Sequence, residues 1–219
     1  MNHLDHLVIA AESLDQGIDY VRATLGVEIP KGGLHKTMGT HNHLMQLGDN
    51  TYLEVIAIDP EGITPDQPRW FSLDDTLTRE SLHRQPRLIT WVMNTADIRH
   101  LHQNSSFSIG TPTELSRDNL RWLIALTADG RLLAHGILPY IIQWHSKPHP
   151  SQAMADLGCR LQSLEIYHNR ADWLQSMLES IGADHLVSIH ALPDNESAYL
   201  CASIETPSGT KILTSRILQ

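Results

Sequence analysis

The stretch His41-Asn-His-Leu-Met-Gln-Leu-Gly-Asp-Asn-Thr-Tyr-Leu-Glu-Val-Ile-Ala-Ile-Asp-Pro60 decides how this chain folds. Two apolar runs, 44–47 and 51–58, flank Gly48-Asp49-Asn50, a cluster of turn formers, and the arrangement reads as a β-hairpin. Side chains alternate along a strand, so His41, His43 and Met45 share one side of the first strand. Tyr52, Glu54, Ile56 and Ile58 share a side of the second. A two-residue turn at Asp49-Asn50 sets Met45 opposite Glu54, with His43 as a diagonal neighbour on that face. A carboxylate inside an apolar strand is costly to bury unless it is paired, protonated or bound to a cation. Glu54 therefore either faces water at a sheet edge or belongs to a site.

Upstream, Leu4-Asp-His-Leu-Val-Ile-Ala10 reads as a strand with Leu7 and Ile9 on one face and His6, Val8 and Ala10 on the other. Ser13 with Gln16 three residues later is a capping-box signature, and the helix it opens runs to Gly26. With 27–30, the glycine-rich connection 31–40 and the hairpin, residues 1–60 form a first βαβββ unit. Residues 61–86, rich in proline, read as a linker anchored by Trp70-Phe71. Residues 87–147 repeat the pattern, with Thr95 as a helix cap and a hairpin near 120–145. Residues 158–219 give it a third time, with Asn169 as a cap and Gly182 as a stop. Three copies of one supersecondary unit are expected.

The chain has 219 residues, 41% of them hydrophobic, which suits a packed globular protein. A formal charge of −9 disfavours nucleic acid or an anionic membrane as a partner. No run is long enough to cross a bilayer, and Met-Asn-His-Leu-Asp lacks the features of a signal peptide. Cys159 and Cys201 make neither a disulfide framework nor metal-ligand spacing, so they read as core thiols of a cytoplasmic protein.

The order of the units, with a histidine in the first strand and a glutamate in the last strand of the first unit, resembles the vicinal oxygen chelate superfamily. That superfamily includes glyoxalase I, extradiol dioxygenases and bleomycin-resistance proteins. The chain is similar above all to its glyoxalase-like domain family, over nearly its whole length. The similarity is carried by Leu4-Asp-His-Leu-Val-Ile-Ala10, Gly32-Gly-Leu-His35, Met38-Gly-Thr-His-Asn42, 47–60, Arg69-Trp-Phe71, Leu88-Ile-Thr-Trp91, Ser116-Arg117, Leu120-Arg-Trp122, Leu138-Pro-Tyr-Ile-Ile-Gln-Trp144 and His149-Pro150. The resemblance implies an α+β fold in which βαβββ units pair into an incompletely closed barrel. It also implies a cleft that holds one divalent metal ion (Zn, Mn, Fe, Ni or Mg), with His6 and Glu54 on ligand positions. An imidazole and a carboxylate on adjacent strands suit such an ion and leave positions for a chelating substrate. In the other units the place of His6 falls to Leu88 or Ile89 and to Ser163 or Gln162. The last strands offer Gln143 or His145 in the second unit and no carboxylate in 210–218 of the third.

Candidate residues follow. His6, Glu54 and His43 are the candidate metal ligands, and Glu54 and His41 the candidate catalytic groups. His35, Asn42, Trp91, Arg117 and Gln143 are the candidate ligand-binding residues. Arg117 suits a substrate carboxylate or carbonyl oxygen, and the tryptophans suit core or cleft wall. The expected function is binding of a small oxygen-rich metabolite with metal-assisted proton abstraction, of the isomerase or lyase type. The rival is a protein that sequesters a small molecule without turning it over, as bleomycin-resistance relatives do. An unpaired sheet edge in the third unit is covered either by homodimer formation or by packing on the first two units.

Overall fold

The computed structural model describes residues 2–216; Met1 and residues 217–219, the end of the expected third unit, lie outside the described residues. The first unit is β1 (His3–Ala10), α1 (Leu14–Leu25), β2 (Lys31–His35), β3 (Thr40–Gly48) and β4 (Thr51–Ile58). Helix α1 begins where Ser13 Oγ accepts the Gln16 N–H and Gln16 Oε1 accepts the Glu12 N–H. It ends at Gly26, whose φ of 74° a residue with a Cβ rarely adopts.

Residues 61–86 are not only a linker: they carry α2 (Thr76–Arg84), capped by the Asp75 carboxylate, which accepts the Thr78 N–H. Ahead of α2, Trp70 and Phe71 are buried, and the Phe71 N–H donates to the Tyr140 hydroxyl at 3.1 Å. The second unit is β5 (Arg87–Asn94), α3 (Ile98–Asn104), β6 (Thr111–Arg117), β7 (Leu120–Leu126) and β8 (Tyr140–Trp144). Asp97, rather than Thr95, caps α3. The third segment is β9 (Arg160–His168), α4 (Ala171–Ser180), β10 (Ser188–Ala191), β11 (Tyr199–Thr206) and β12 (Gly209–Thr214). Arg170 sits at the N-cap of α4, while the Asn169 side chain donates to Asp194 O.

The first two units form one eight-stranded sheet in the order β2-β3-β4-β1-β5-β8-β7-β6. The second half repeats the first in reverse about the antiparallel β1–β5 seam, and each half contains one parallel pair, β1 with β4 and β5 with β8. The sheet curls until its outer strands meet without pairing: a Cβ on Gly33 of β2 would lie 3.2 Å from the Arg117 side chain at the end of β6. The result is the α+β, incompletely closed barrel, with four α-helices among the described residues.

The third segment keeps the element order of the other two but not their strand order. Its sheet runs β10-β9-β11-β12, with β10 parallel to β9 and β11 antiparallel on the other side. After α4 a 3-10 turn at Asp184–Leu186 returns the chain directly beside β9. β10 thus takes the parallel place that β4 and β8 fill in the first two units. Leu164, Ile166, Leu200, Ala202 and Ile204 join one core with Leu7, Ile9, Leu53 and Val55 on the convex face of the large sheet. The third segment therefore backs the barrel, and the concave face is left to the first two units.

The opening hairpin differs from its expected register in one respect that moves every side chain. Asp49-Asn50 do form the turn, with Gly48 opposite Thr51, but the ladder slips between Gln46 and Gly48. Leu44, not Met45, stands opposite Glu54, and Met45 stands opposite Leu53. Gly48 has φ 133°, open to glycine, and the extra residue it allows forms a bulge. A one-residue slip exchanges the two faces. Met45 and Leu47 enter the core, and Asn42 joins the face of Glu54 in place of His41 and His43.

Candidate active site

The concave face lines a narrow cleft that is open to solvent at one side. Its polar corner comes from the first unit: His6 from β1, His35 from β2, Asn42 from β3, and Tyr52 and Glu54 from β4. Arg117 closes it from the tip of β6, and Trp122, Ile124, Ile142 and Trp144 of the second unit form an apolar wall. The parallel β1–β4 pairing sets His6 beside Tyr52 and Val8 beside Glu54. The His6 ring stacks on Tyr52 at 4.3 Å, and its Nε2 lies 3.6 Å from Glu54 Oε2. Both are buried, His6 at 4% exposure and Glu54 at 6%.

Glu54 is held by one strong contact. Asn42 Nδ2 donates to Glu54 Oε1 at 2.6 Å, while Asn42 Oδ1 accepts the Gly33 N–H at 2.9 Å and Arg117 at 3.4 Å. The Gly33 N–H fixes which end of the amide is oxygen. The glycines of β2 allow this approach: a Cβ on Gly32 would fall 2.3 Å from Asn42 Oδ1. His35 Nδ1 meets Thr40 Oγ1 at 3.0 Å, and its Nε2 accepts from Arg117 at 3.4 Å. Burial first, and then the Arg117 charge, lower the His35 pKa to about 3, so the ring is neutral.

Behind His6 lies a carboxylate that alternation along β1 hides. The β1–β5 ladder slips between Leu4 and His6, and the bulge turns Asp5 to the same side as His6. Asp5 is fully buried. Its Oδ1 accepts from His6 Nδ1 at 2.6 Å, and its Oδ2 accepts from Trp144 Nε1, Asn94 Nδ2 and His149 Nε2 at 2.8–2.9 Å. Burial by itself would raise the Asp5 pKa, but the hydrogen bonds from His149 and His6 outweigh it and hold the carboxylate well below the usual range. Burial, with Asp5 and Glu54 nearby, raises the Tyr52 phenol well above its ordinary value.

The Asp5 bond fixes the proton of His6 on Nδ1 and leaves the Nε2 lone pair towards Glu54. A lone pair facing a carboxylate oxygen is unfavourable unless a proton or a cation lies between them. Two ligands at 2.0–2.2 Å from one tetrahedral ion stand about 3.4 Å apart. The 3.6 Å edge between His6 Nε2 and Glu54 Oε2 fits that geometry, so these two residues fit a divalent ion. The second unit adds no ligand, because Ile142 and Trp144 occupy its share of the cleft. A second compact group, His3, Asp5 and His149, has ligand atoms within 4.8 Å of one another. There the Ser151 N–H donates to His149 Nδ1, so His149 Nε2 carries the proton given to Asp5. That group is built as a hydrogen-bond cluster more than as an open ligand set.

The cleft thus gathers His6, His35, Asn42, Glu54 and Arg117 among the residues singled out from sequence. The others stand elsewhere. His43 Nδ1 bonds Ile29 O at 2.8 Å, and His41 lies 3.9 Å from Asp59, both on the far side of β3 because of the register slip. Trp91 pairs with Leu7 on the convex side, fully buried, its Nε1 donating to Ile137 O. Gln143 accepts the Ile98 N–H at the start of α3. The sequence reading missed Asp5, Tyr52, Trp70 and His149. A charged residue directly before His6 in an apolar strand was the available signal for Asp5.

A family model described as a glyoxalase-like domain matches residues 4–182. No curated protein shows significant similarity to the chain. A solved structure of a hypothetical protein from Staphylococcus aureus is 12% identical, covers 98% of this chain and 85% of its own, and has a TM-score of 0.56. Methylmalonyl-CoA epimerase from Mycobacterium tuberculosis is 18% identical over 67% of this chain and 89% of its own, at a TM-score of 0.40. A mutant of 4-hydroxymandelate synthase from Streptomyces coelicolor is 12% identical over 97% of this chain and 62% of its own, at 0.48. The first of these shares the fold. Among the described residues no helix is long and apolar enough to cross a membrane.

Proposed function

The chain belongs to the glyoxalase-like domain family of the vicinal oxygen chelate superfamily, and on that premise we propose that its cleft binds a small metabolite bearing neighbouring oxygens and moves a proton on it. Glu54 is the base. The C–H bond next to a carbonyl breaks, the proton passes to the Glu54 carboxylate, and the electron pair moves into the carbonyl to give an enolate. Return of the proton to another face or carbon completes an isomerisation, and loss of a leaving group completes an elimination. No oxidant is needed. Asn42 keeps Glu54 Oε1 occupied, so the other oxygen, near His6, is the one left for an ion and for the substrate proton. His6, its proton fixed by Asp5, would hold a divalent ion together with Glu54. When bound, the ion supplies Lewis-acid stabilisation of the developing enolate oxygen. The proposed setting is cytoplasmic, and the second unit's aromatic wall excludes water from the reacting end.

The observation that carries this reading is the buried Glu54–His6 pair, oriented from behind by Asn42 and Asp5. The test is deuterium incorporation next to the carbonyl in a panel of small hydroxy- and oxo-carbonyl compounds, with and without added Mg²⁺, Mn²⁺ or Zn²⁺. Glu54→Gln is expected to lower the exchange rate by at least about a hundredfold, the usual worth of a positioned base. Exchange that survives Glu54→Gln would refute the assignment. Binding without exchange in the wild type would instead make this a sequestering protein, a role the metal-poor second unit also fits.

A further inference from the structure

We infer that the molecule taken by this cleft is a small organic carboxylate, seated on Arg117, whose reacting carbon lies one or two bonds from the carboxylate group. The choice of an anion rests on Arg117; the placing of the carbon rests on the proposed role of Glu54.

Arg117 brings a positive charge into the cleft and forms no ion pair there with a carboxylate among the described residues. Its side-chain hydrogen bonds there go to His35 Nε2 and Asn42 Oδ1, both at 3.4 Å, and both partners are neutral. A guanidinium offers five donors in a planar fork shaped for a carboxylate, so two long bonds to neutral acceptors leave most of that capacity for a ligand. The fork is not loose. Its stem lies against Gly33 of β2, where a Cβ would come within 3.2 Å of Arg117 Cδ and Nη1. The closure of the barrel edges therefore aims it.

Glu54 does not neutralise Arg117. The Asn42 amide stands between them, donating to one and accepting from the other. Those two bonds and the width of an amide put the guanidinium and the carboxylate at most about 8 Å apart. Within that reach, a ligand carboxylate about 2.8 Å from the fork brings a carbon one or two bonds away to the Glu54 end of the cleft. The rest of the ligand meets the wall of Trp122 and Trp144, which pack on each other at 5.2 Å and offer aromatic surface to an apolar substituent.

The probe is 2-oxo-4-phenylbutanoate, and its neutral counterpart is 4-phenylbutan-2-one, the same skeleton without the carboxylate. Affinity is read from tryptophan emission, and exchange at the carbon next to the carbonyl by NMR in D₂O with Mg²⁺. The wild type is expected to bind the acid at least about tenfold more tightly than the ketone, the worth of one charge-assisted bond. Arg117→Gln should remove that difference while leaving ketone affinity unchanged, and Arg117→Lys should restore part of it. Glu54→Gln should stop exchange while the acid, titrated without added metal, still binds in an Arg117-dependent way. Equal binding of acid and ketone, no binding of the acid, or unchanged acid affinity in Arg117→Gln would overturn the inference. Arg117-dependent binding without exchange would uphold the anion site and refute the role of Glu54.

Discussion

Replacing Asp5 by asparagine tests whether the network behind His6 is what orients the site. The aspartate accepts four side-chain hydrogen bonds, one on Oδ1 from His6 and three on Oδ2 from Trp144, Asn94 and His149. An asparagine keeps one oxygen. With that oxygen facing His6, its NH₂ group meets three donors. With the amide turned over, the NH₂ faces His6 Nδ1, which must give up its proton and shift it to Nε2. Either way buried donors lose partners, and a fully buried charge that ties β1 to β5, β8 and His149 is gone. Breaking a buried ionic network by one partner costs about 3–5 kcal/mol. For a chain of this size each kcal/mol moves Tm by about 2–4 °C, so a drop of roughly 6–20 °C is expected by circular dichroism at pH 7. The turned-over amide also puts a proton where a metal would bind, so metal retained after dialysis should fall together with Tm. A Tm within about 2 °C of wild type, with metal content unchanged, would show that Asp5 neither supports the fold nor sets the His6 tautomer.

Strand β2, which packs against Asn42, gives two further outcomes. Gly32→Ala places a Cβ 2.3 Å from Asn42 Oδ1 and 3.0 Å from its backbone oxygen; it should cost about 1–3 kcal/mol in urea unfolding and weaken ligand binding through the displaced amide. His35 should make stability depend on pH. Its folded pKa is depressed to about 3 by burial and then by Arg117, with smaller contributions from His6 and His41. The unfolded chain therefore takes up this proton first, near its ordinary 6.5, and stability falls as pH drops from about 6.5 towards 3. Part of the ring is open to the cleft, so solvent limits the loss to up to about 2 kcal/mol by pH 5. Denaturant titrations of the wild type and His35→Gln at pH 7 and pH 5 should differ by that slope, and parallel curves would refute it.

Periodicity gives β1, α1, β3, β4, β5 and β7, because each has a buried face whose spacing records its conformation. β2 instead lies at Lys31–His35, inside the glycine-rich stretch that reads as a connection, because it buries too little of itself to leave a pattern. Ser13, Gln16 and Gly26 mark the ends of α1 as firmly in the sequence as in the structure. His6 and Glu54 were legible as well, since a histidine and a carboxylate inside apolar strands are too costly to be left unexplained. What the residues could not reveal was register. Two bulges, at Gly48 and at Asp5, decide which side chains face the cleft. Each is a single extra residue that local propensity barely registers, yet one slip exchanged His41 and His43 for Asn42 and another brought in Asp5. Nor does element order fix strand order: the third segment has the same βαβββ sequence, but a short return after α4 sends β10 to the opposite side of its sheet. Arg117 is the plainest case. Its distance along the chain from Glu54 says nothing, and only the curling of an eight-stranded sheet brings its guanidinium to Asn42. The sequence by itself determined which residues must be buried or explained. The tertiary structure decided which of them meet, because contact across a curved sheet depends on register and twist summed over every strand between them.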